Sequence, residues 1–155
     1  APQYAYSLIS LIERFNLMQF DTQEAKPAKR TKNWKSEFFD RHNIYRNNKN
    51  YFIVVELGDD MATISKATGV SLRKLYSYNE LSPDYAPTQG DIIYLMKKKK
   101  SASKQFKDNP IHIVDYNQSM HDIAQLYGMR LENLYELNHL DADYTPQIGD
   151  ILRIR

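Results

Sequence analysis

Carboxylates and imidazoles are the groups in this sequence whose types and spacing could do chemistry. Acidic side chains recur at Asp59, Asp60, Asp84 and Asp91, and again at Asp143 and Asp150. Two carboxylates held on either side of a bond can serve as acid and as base or nucleophile. These ones sit among Gly, Ser, Pro and Asn, at caps and turns, where a short carboxylate bonds neighbouring backbone instead. Asp60 and Asp91 are therefore read as structural. His42, His112, His121 and His139 show no metal-ligand spacing and no accompanying nucleophile motif, so they are read as structural or exposed. The chain has no cysteine, which removes disulfides, thiolate metal sites and a cysteine nucleophile. Gly58 alone makes no phosphate loop. No catalytic residue, metal or cofactor is expected in this chain, and binding is left as its chemistry.

Hydrophobic residues are 42% and charged residues 26% of the 155, enough apolar content for cores, but small ones if the chain is divided. The formal charge of +2 conceals two lysine clusters, residues 26–35 (KPAKRTKNWK) and residues 97–100 (KKKK). Neither interleaves aromatics as a nucleic-acid platform does, so both are read as solvated linkers, with no nucleic-acid partner. No apolar run reaches the roughly 20 residues of a membrane span, and the first residues lack a signal peptide's basic start and apolar core. The opening APQYAYSLIS reads as a cut inside a longer protein.

The elements that must position any binding groups come from an internal repeat. Residues 52–96 align with residues 111–155 without a gap, matching Val55 to Val114, Met61 to Met120, Gly69 to Gly128, Asn79 to Asn138, Tyr85 to Tyr144 and Asp91 to Asp150, among others. In each copy a short β-branched run (FIVVE, IHIVD) predicts a strand. Asp60 and Ser119 stand where a side-chain oxygen caps a helix, and Met61, Ile64 and Thr68 (Met120, Ile123 and Tyr127) share one helical face. Gly69 and Gly128 end that helix. A second helix begins at Leu72 and Leu131, with Leu72, Leu75 and Ile64 and their counterparts expected in the core. A Pro-rich loop and an alternating strand (DIIYLM) close each unit. The expected fold is α+β: two βααβ mini-domains, each a two-stranded antiparallel sheet covered by two helices. Residues 44–46 predict an extra strand, in a hairpin turning at Asn47 to Asn50.

With Val55, Gly58, Asp59, Ile64, Gly69, Leu75, Asn79, Leu81, Gly90, Ile93 and Leu95 in this order, each copy resembles a LysM domain, a module that binds glycans containing N-acetylglucosamine. The second copy departs from the pattern where Gly58-Asp59 becomes Asn117-Gln118. The resemblance implies a groove between the loop after the first strand and the loop before the last. Carried over by position, its residues are Gly58, Asp59, Asp60, Met61, Leu81, Ser82, Pro83, Asp84 and Tyr85 in repeat one. Repeat two supplies Asn117, Gln118, Ser119, Met120, Leu140, Asp141, Ala142, Asp143 and Tyr144. Tyr85 and Tyr144 are as well suited to plugging the mini-core as to stacking on sugar.

Residues 4–21 resemble, more loosely, the last helix of bacterial N-acetylglucosaminidase domains that cleave peptidoglycan, with Leu8, Leu11, Ile12 and Phe15 as an apolar stripe. The expected organisation is thus an amphipathic helical tail of an upstream hydrolase-like domain (1–21), a basic linker with a short helix near residues 33–42 (22–43), repeat one (44–96), a Lys-rich linker (97–110) and repeat two (111–155). The resemblances imply a monomeric, non-catalytic region that targets a secreted hydrolase to peptidoglycan or a related N-acetylglucosamine polymer in the cell envelope or outside the cell. The parent's catalytic Glu would lie upstream of residue 1. The alternatives are repeats that have lost glycan binding and serve packing, and a part of an active glucosaminidase.

Overall fold

Short β-branched and aromatic segments become strands here because each has a helical layer on which to bury one face. The computed structural model describes His42 and residues 44–155. Two units divide these residues: Tyr51–Met96 with the residues up to Arg46, and Asn47–Asn50 with Lys97–Arg155. The tail helix expected over 1–21 and the short helix expected near 33–42 lie outside the described residues, His42 excepted. Among the described residues no helix is long and apolar enough to cross a membrane.

The first repeat contains β1 (Tyr45–Asn47), β2 (Asn50–Val54), α1 (Met61–Thr68), α2 (Leu72–Asn79) and β3 (Ile92–Tyr94). The sheet order is β1-β2-β3, with β2 and β3 antiparallel in the register Phe52 to Tyr94 and Val54 to Ile92. The β1–β2 connection passes through Asn48 (φ 51°) and Lys49 (φ 62°), two successive left-handed residues of the kind a two-residue hairpin loop requires. Alternation sends Ile53, Val55, Ile93 and Leu95 to the helices, where Met61, Ile64, Ala67 and Leu75 complete the core. On the other face Phe52 and Tyr94 are buried as well, with Tyr45 stacked on Phe52 at 5.2 Å and Phe52 lying 5.5 Å from Tyr94.

The second repeat runs β4 (Ile111–Ile113), α3 (Met120–Tyr127), α4 (Leu131–Asn138) and β5 (Ile151–Arg153), with β4 and β5 antiparallel in the register Ile111 to Arg153 and Ile113 to Ile151. Its core gathers Val114, Met120, Ile123, Ala124, Met129, Leu134, Leu152 and Ile154. The outer sheet face differs from that of repeat one, since Ile111, Ile113 and Ile151 are exposed. Both copies therefore have the expected βααβ arrangement in an α+β chain, and the first carries a third strand.

Two expectations are corrected. Leu72 is 40% exposed rather than core, because the first residue of α2 sits at the rim while Leu75, one turn on, is fully buried. The lysine run at 97–100 is not a wholly solvated linker: Lys98 is buried and its Nζ donates to Gln125 Oε1 at 2.6 Å. Lys99 forms a parallel bridge with Met129, donating to the Gly128 carbonyl and accepting from Arg130 N–H. Extended backbone alternates its side chains, so one lysine in the run points inward and finds a neutral amide partner while Lys97, Lys99 and Lys100 stay exposed. A little further on, Ala102 donates its N–H to the Ile154 carbonyl, and a 3₁₀ turn follows at Lys104–Phe106. Within the same unit Asn47 Nδ2 donates to the Leu126 carbonyl at 2.7 Å.

Candidate functional site

The first loop of each repeat is shaped by the helix that follows it. Asp60 caps α1, its Oδ1 accepting from Thr63 N–H at 2.6 Å, which holds the carboxyl below its usual range. Ser119 caps α3 in a reciprocal box with Asp122: Ser119 Oγ accepts from Asp122 N–H and Asp122 Oδ2 from Ser119 N–H. Just upstream the chain takes a left-handed step in both copies, at Gly58 (φ 90°) and at Asn117 (φ 56°). Asn is among the non-glycine residues that tolerate this region, so the substitution preserves the turn.

The next residue ties each loop down from inside. Asp59 is buried; its Oδ2 accepts from Glu56 N–H at 2.8 Å and lies 2.6 Å from His42 Nε2. Gln118 Oε1 accepts from Asp115 N–H at 2.9 Å and lies 2.8 Å from His112 Nε2. The other ring nitrogen of His112 is 2.9 Å from the Tyr127 hydroxyl, and Phe106 meets the Tyr127 ring edge to face. Burial pushes the His112 imidazole down from its ordinary value and the Tyr127 phenol up to about 12. Gln118 Oε1 can only accept, so Nε2 carries the His112 proton and Nδ1 accepts from Tyr127 O–H.

The second loop is fixed at its tip by one tyrosine and one aspartate per copy. Tyr85 O–H donates to Asp91 Oδ2 at 2.5 Å, and the same oxygen accepts from Thr88 N–H at 2.7 Å. In repeat two Tyr144 O–H donates to Asp150 Oδ2, which also accepts from Gln147 N–H at 2.7 Å. This bond raises the Tyr144 phenol and lowers the Asp150 carboxyl. Asp84 is exposed, and the Ser82 hydroxyl holds its carboxyl below the usual range. At the loop's origin Asn79 Nδ2 donates to the carbonyls of Leu75 and Tyr94 while its Oδ1 accepts from Tyr94 N–H, and Asn138 makes the same three bonds with Leu134 and Arg153. The paired asparagines thus clip the end of the second helix to the last strand.

In repeat two the two loops border one groove of about 490 Å³. It brings together Asn117, Gln118, Ser119 and Met120 from the first loop with Ala142, Asp143 and Tyr144 from the second. Leu140 and Asp141 are outside its lining, and His121, Leu131, Tyr135, Thr145 and Pro146 complete it. Sequence reasoning missed these five. Leu131 and Tyr135 are four apart on α4, a spacing that puts them on one face, whereas the sequence reading places Leu131 in the core and gives Tyr135 no site role. In repeat one Gly58, Asp60, Ser82, Pro83 and Asp84 are exposed, Leu81 and Tyr85 are half-buried, and Asp59 and Met61 are turned inward. Such surfaces offer backbone groups, short polar side chains and anchored rings, suited to holding a ligand.

A family model described as LysM domain matches residues 53–95 and 112–155. No curated protein matches the chain. Among solved structures, the spore cortex-lytic enzyme SleL of Bacillus cereus is similar at 19% identity over 67% of this chain and 22% of that one, with a TM-score of 0.29. SleL of Bacillus megaterium QM B1551 is similar at 14% identity over 66% of this chain and 22% of that one, with a TM-score of 0.28. The chain therefore spans less than a quarter of either enzyme's length.

Proposed function

The chain belongs to the LysM domain family, and on that premise we propose that its two repeats bind N-acetylglucosamine-containing glycan, most naturally peptidoglycan, without transforming it. LysM domains are non-catalytic modules for such glycans, and what is proposed here concerns the particular surface, ligand and setting. The observation that carries the proposal is the groove of repeat two, in which both loops assigned by position border one depression. The corresponding surface of repeat one is Gly58, Asp60 and Leu81 to Tyr85. Asp59 supports its loop from within instead of facing a ligand. Two linked sites of modest affinity suit a polymer, because occupation of one raises the effective concentration at the other.

In the wider setting the repeats are the targeting region of a secreted cell-wall hydrolase acting in the cell envelope or outside the cell, with the catalytic Glu upstream of residue 1 and the chain monomeric. Support for that setting is the resemblance of residues 4–21 to the end of N-acetylglucosaminidase domains. Retention on insoluble peptidoglycan and on chitin at low salt is the expected result, and loss of retention on both would remove the proposal. Titration with N-acetylglucosamine oligomers, followed by the backbone amides of Gly58 to Met61 and Asn117 to Met120, then assigns binding to one repeat or both.

A further inference from the structure

The same tyrosine–aspartate pair recurs at the same place in both repeats, and in each a single carboxylate oxygen joins two things. It takes the N–H of the turn just before it, from Thr88 or Gln147, and the hydroxyl of the tyrosine at the start of the turn, Tyr85 or Tyr144. A charged acceptor makes the stronger kind of hydrogen bond, and a ring pinned at its hydroxyl loses the freedom to swing out of the loop. In repeat two Tyr144 is among the residues that line the groove. Asp150 itself is not among the lining residues, and its link to the groove is its bond to Tyr144. The Tyr135 hydroxyl, 3.5 Å from the Tyr144 carbonyl, supports the same segment from the helix side.

We infer that Asp150, and Asp91 in repeat one, are positioning residues that set Tyr144 and Tyr85 as fixed platforms for the apolar face of an N-acetylhexosamine ring. The phenol hydroxyl is spent on the carboxylate, so what the tyrosine presents to the groove is ring surface, the part that packs on sugar C–H groups. Holding the ring in place before the ligand arrives removes an ordering cost from binding. This inference rests on the glycan-binding proposal and adds to it which atoms make the wall rigid.

The test uses the full chain, a soluble N-acetylglucosamine pentamer as probe, and repeat-two affinity read from the Asn117 to Met120 amides. Asp150→Asn and Tyr144→Phe should each weaken binding about three- to tenfold, the net scale of one ordinary hydrogen bond, since the bond orients the ring and does not touch the ligand. The double variant should be no weaker than Tyr144→Phe, because Asp150→Asn weakens the same bond that Tyr144→Phe removes. In Asp150→Asn the Tyr144 phenol, followed by its ring carbon shifts, should ionise at lower pH than in the wild type, which a general packing role for Asp150 would not produce. Dispersed amide spectra establish that the variants fold, and repeat one supplies an internal reference. Wild-type affinity in Asp150→Asn, multiplying effects in the double variant, or an unmoved phenol titration overturns the inference while leaving glycan binding intact. A wild-type chain whose amides ignore the pentamer overturns both.

Discussion

Repeat one and repeat two solve the same problem in the first loop with different chemistry. Each needs a left-handed step followed by an acceptor that folds back on the backbone three residues earlier. Gly58-Asp59 provides this with an unhindered residue and a carboxylate, and Asn117-Gln118 with a tolerant residue and a neutral amide. Each acceptor also meets an imidazole, but His42 comes from before the repeat while His112 comes from the first strand, at the position of Ile53 in the other copy. The departure from the family pattern thus preserves the loop. What it changes is charge and the origin of the support.

The asparagine clips separate the two copies most strongly. Asn79 is fully buried, so Asn79→Ala would strand the Tyr94 N–H and carbonyl away from water, and a loss of about 3 kcal/mol is expected. Asn138 is half-exposed, and water can replace its bonds to Arg153, so Asn138→Ala should cost only about 1 kcal/mol. Denaturant unfolding of the full chain, followed by amide signals of each repeat, measures both. Equal losses would show that burial does not distinguish the clips.

Much of this frame was legible in the sequence, because it depends on local rules. The ungapped repeat, the caps at Asp60 and Ser119, the left-handed ends at Gly69 and Gly128, and the helical faces through Ile64 and Ile123 all follow from neighbours within a few positions. Partnerships across space were not legible. Asn79 and Asn138 stand out as matched positions, but their bonds to the last strand require knowing how that strand returns. Asp59 resembles a ligand contact in the sequence because its partner, His42, lies 17 residues away and outside the repeat. Lys98 was lost in a run of identical charges, where only the packed backbone decides which side chain turns inward. The groove is half legible: both loops come from position, while Leu131 is expected in the core and nothing local marks Tyr135 as a groove residue.

The loop step offers a second, smaller contrast. At Gly58 an added Cβ would meet no atom within 4 Å, so Gly58→Ala tests backbone conformation alone. The left-handed region costs a residue with a Cβ about 1–2 kcal/mol, and repeat one should lose about that much. Asn117→Gly should leave repeat two nearly unchanged, since it relaxes a strain Asn already carries lightly. Thermal unfolding resolved by repeat checks the pair, and an unchanged Gly58→Ala protein would show that this loop shifts out of the left-handed region at little cost.

The smallest effect concerns acid. His112 has Gln118 and Tyr127 as direct partners, and Asp115 as the nearby charge that favours protonation. Burial outweighs both the Gln118 bond and Asp115, and the folded imidazole ionises below its ordinary 6.5. Between that lowered value and 6.5 the unfolded chain binds the proton more readily than the folded one, so stability rises with pH across the window and is lost as pH falls through it. Tyr127, pushed up to about 12, keeps its proton throughout and remains a donor to Nδ1. Repeat two should therefore unfold at progressively lower denaturant concentration as pH drops below 6.5. His112→Ile, which installs the residue found at the matching place in repeat one, should flatten that dependence even if it lowers stability at neutral pH by leaving the Tyr127 hydroxyl short of an acceptor. A pH slope that survives His112→Ile would assign the acid sensitivity to the carboxylates of the loops and remove His112 from the account.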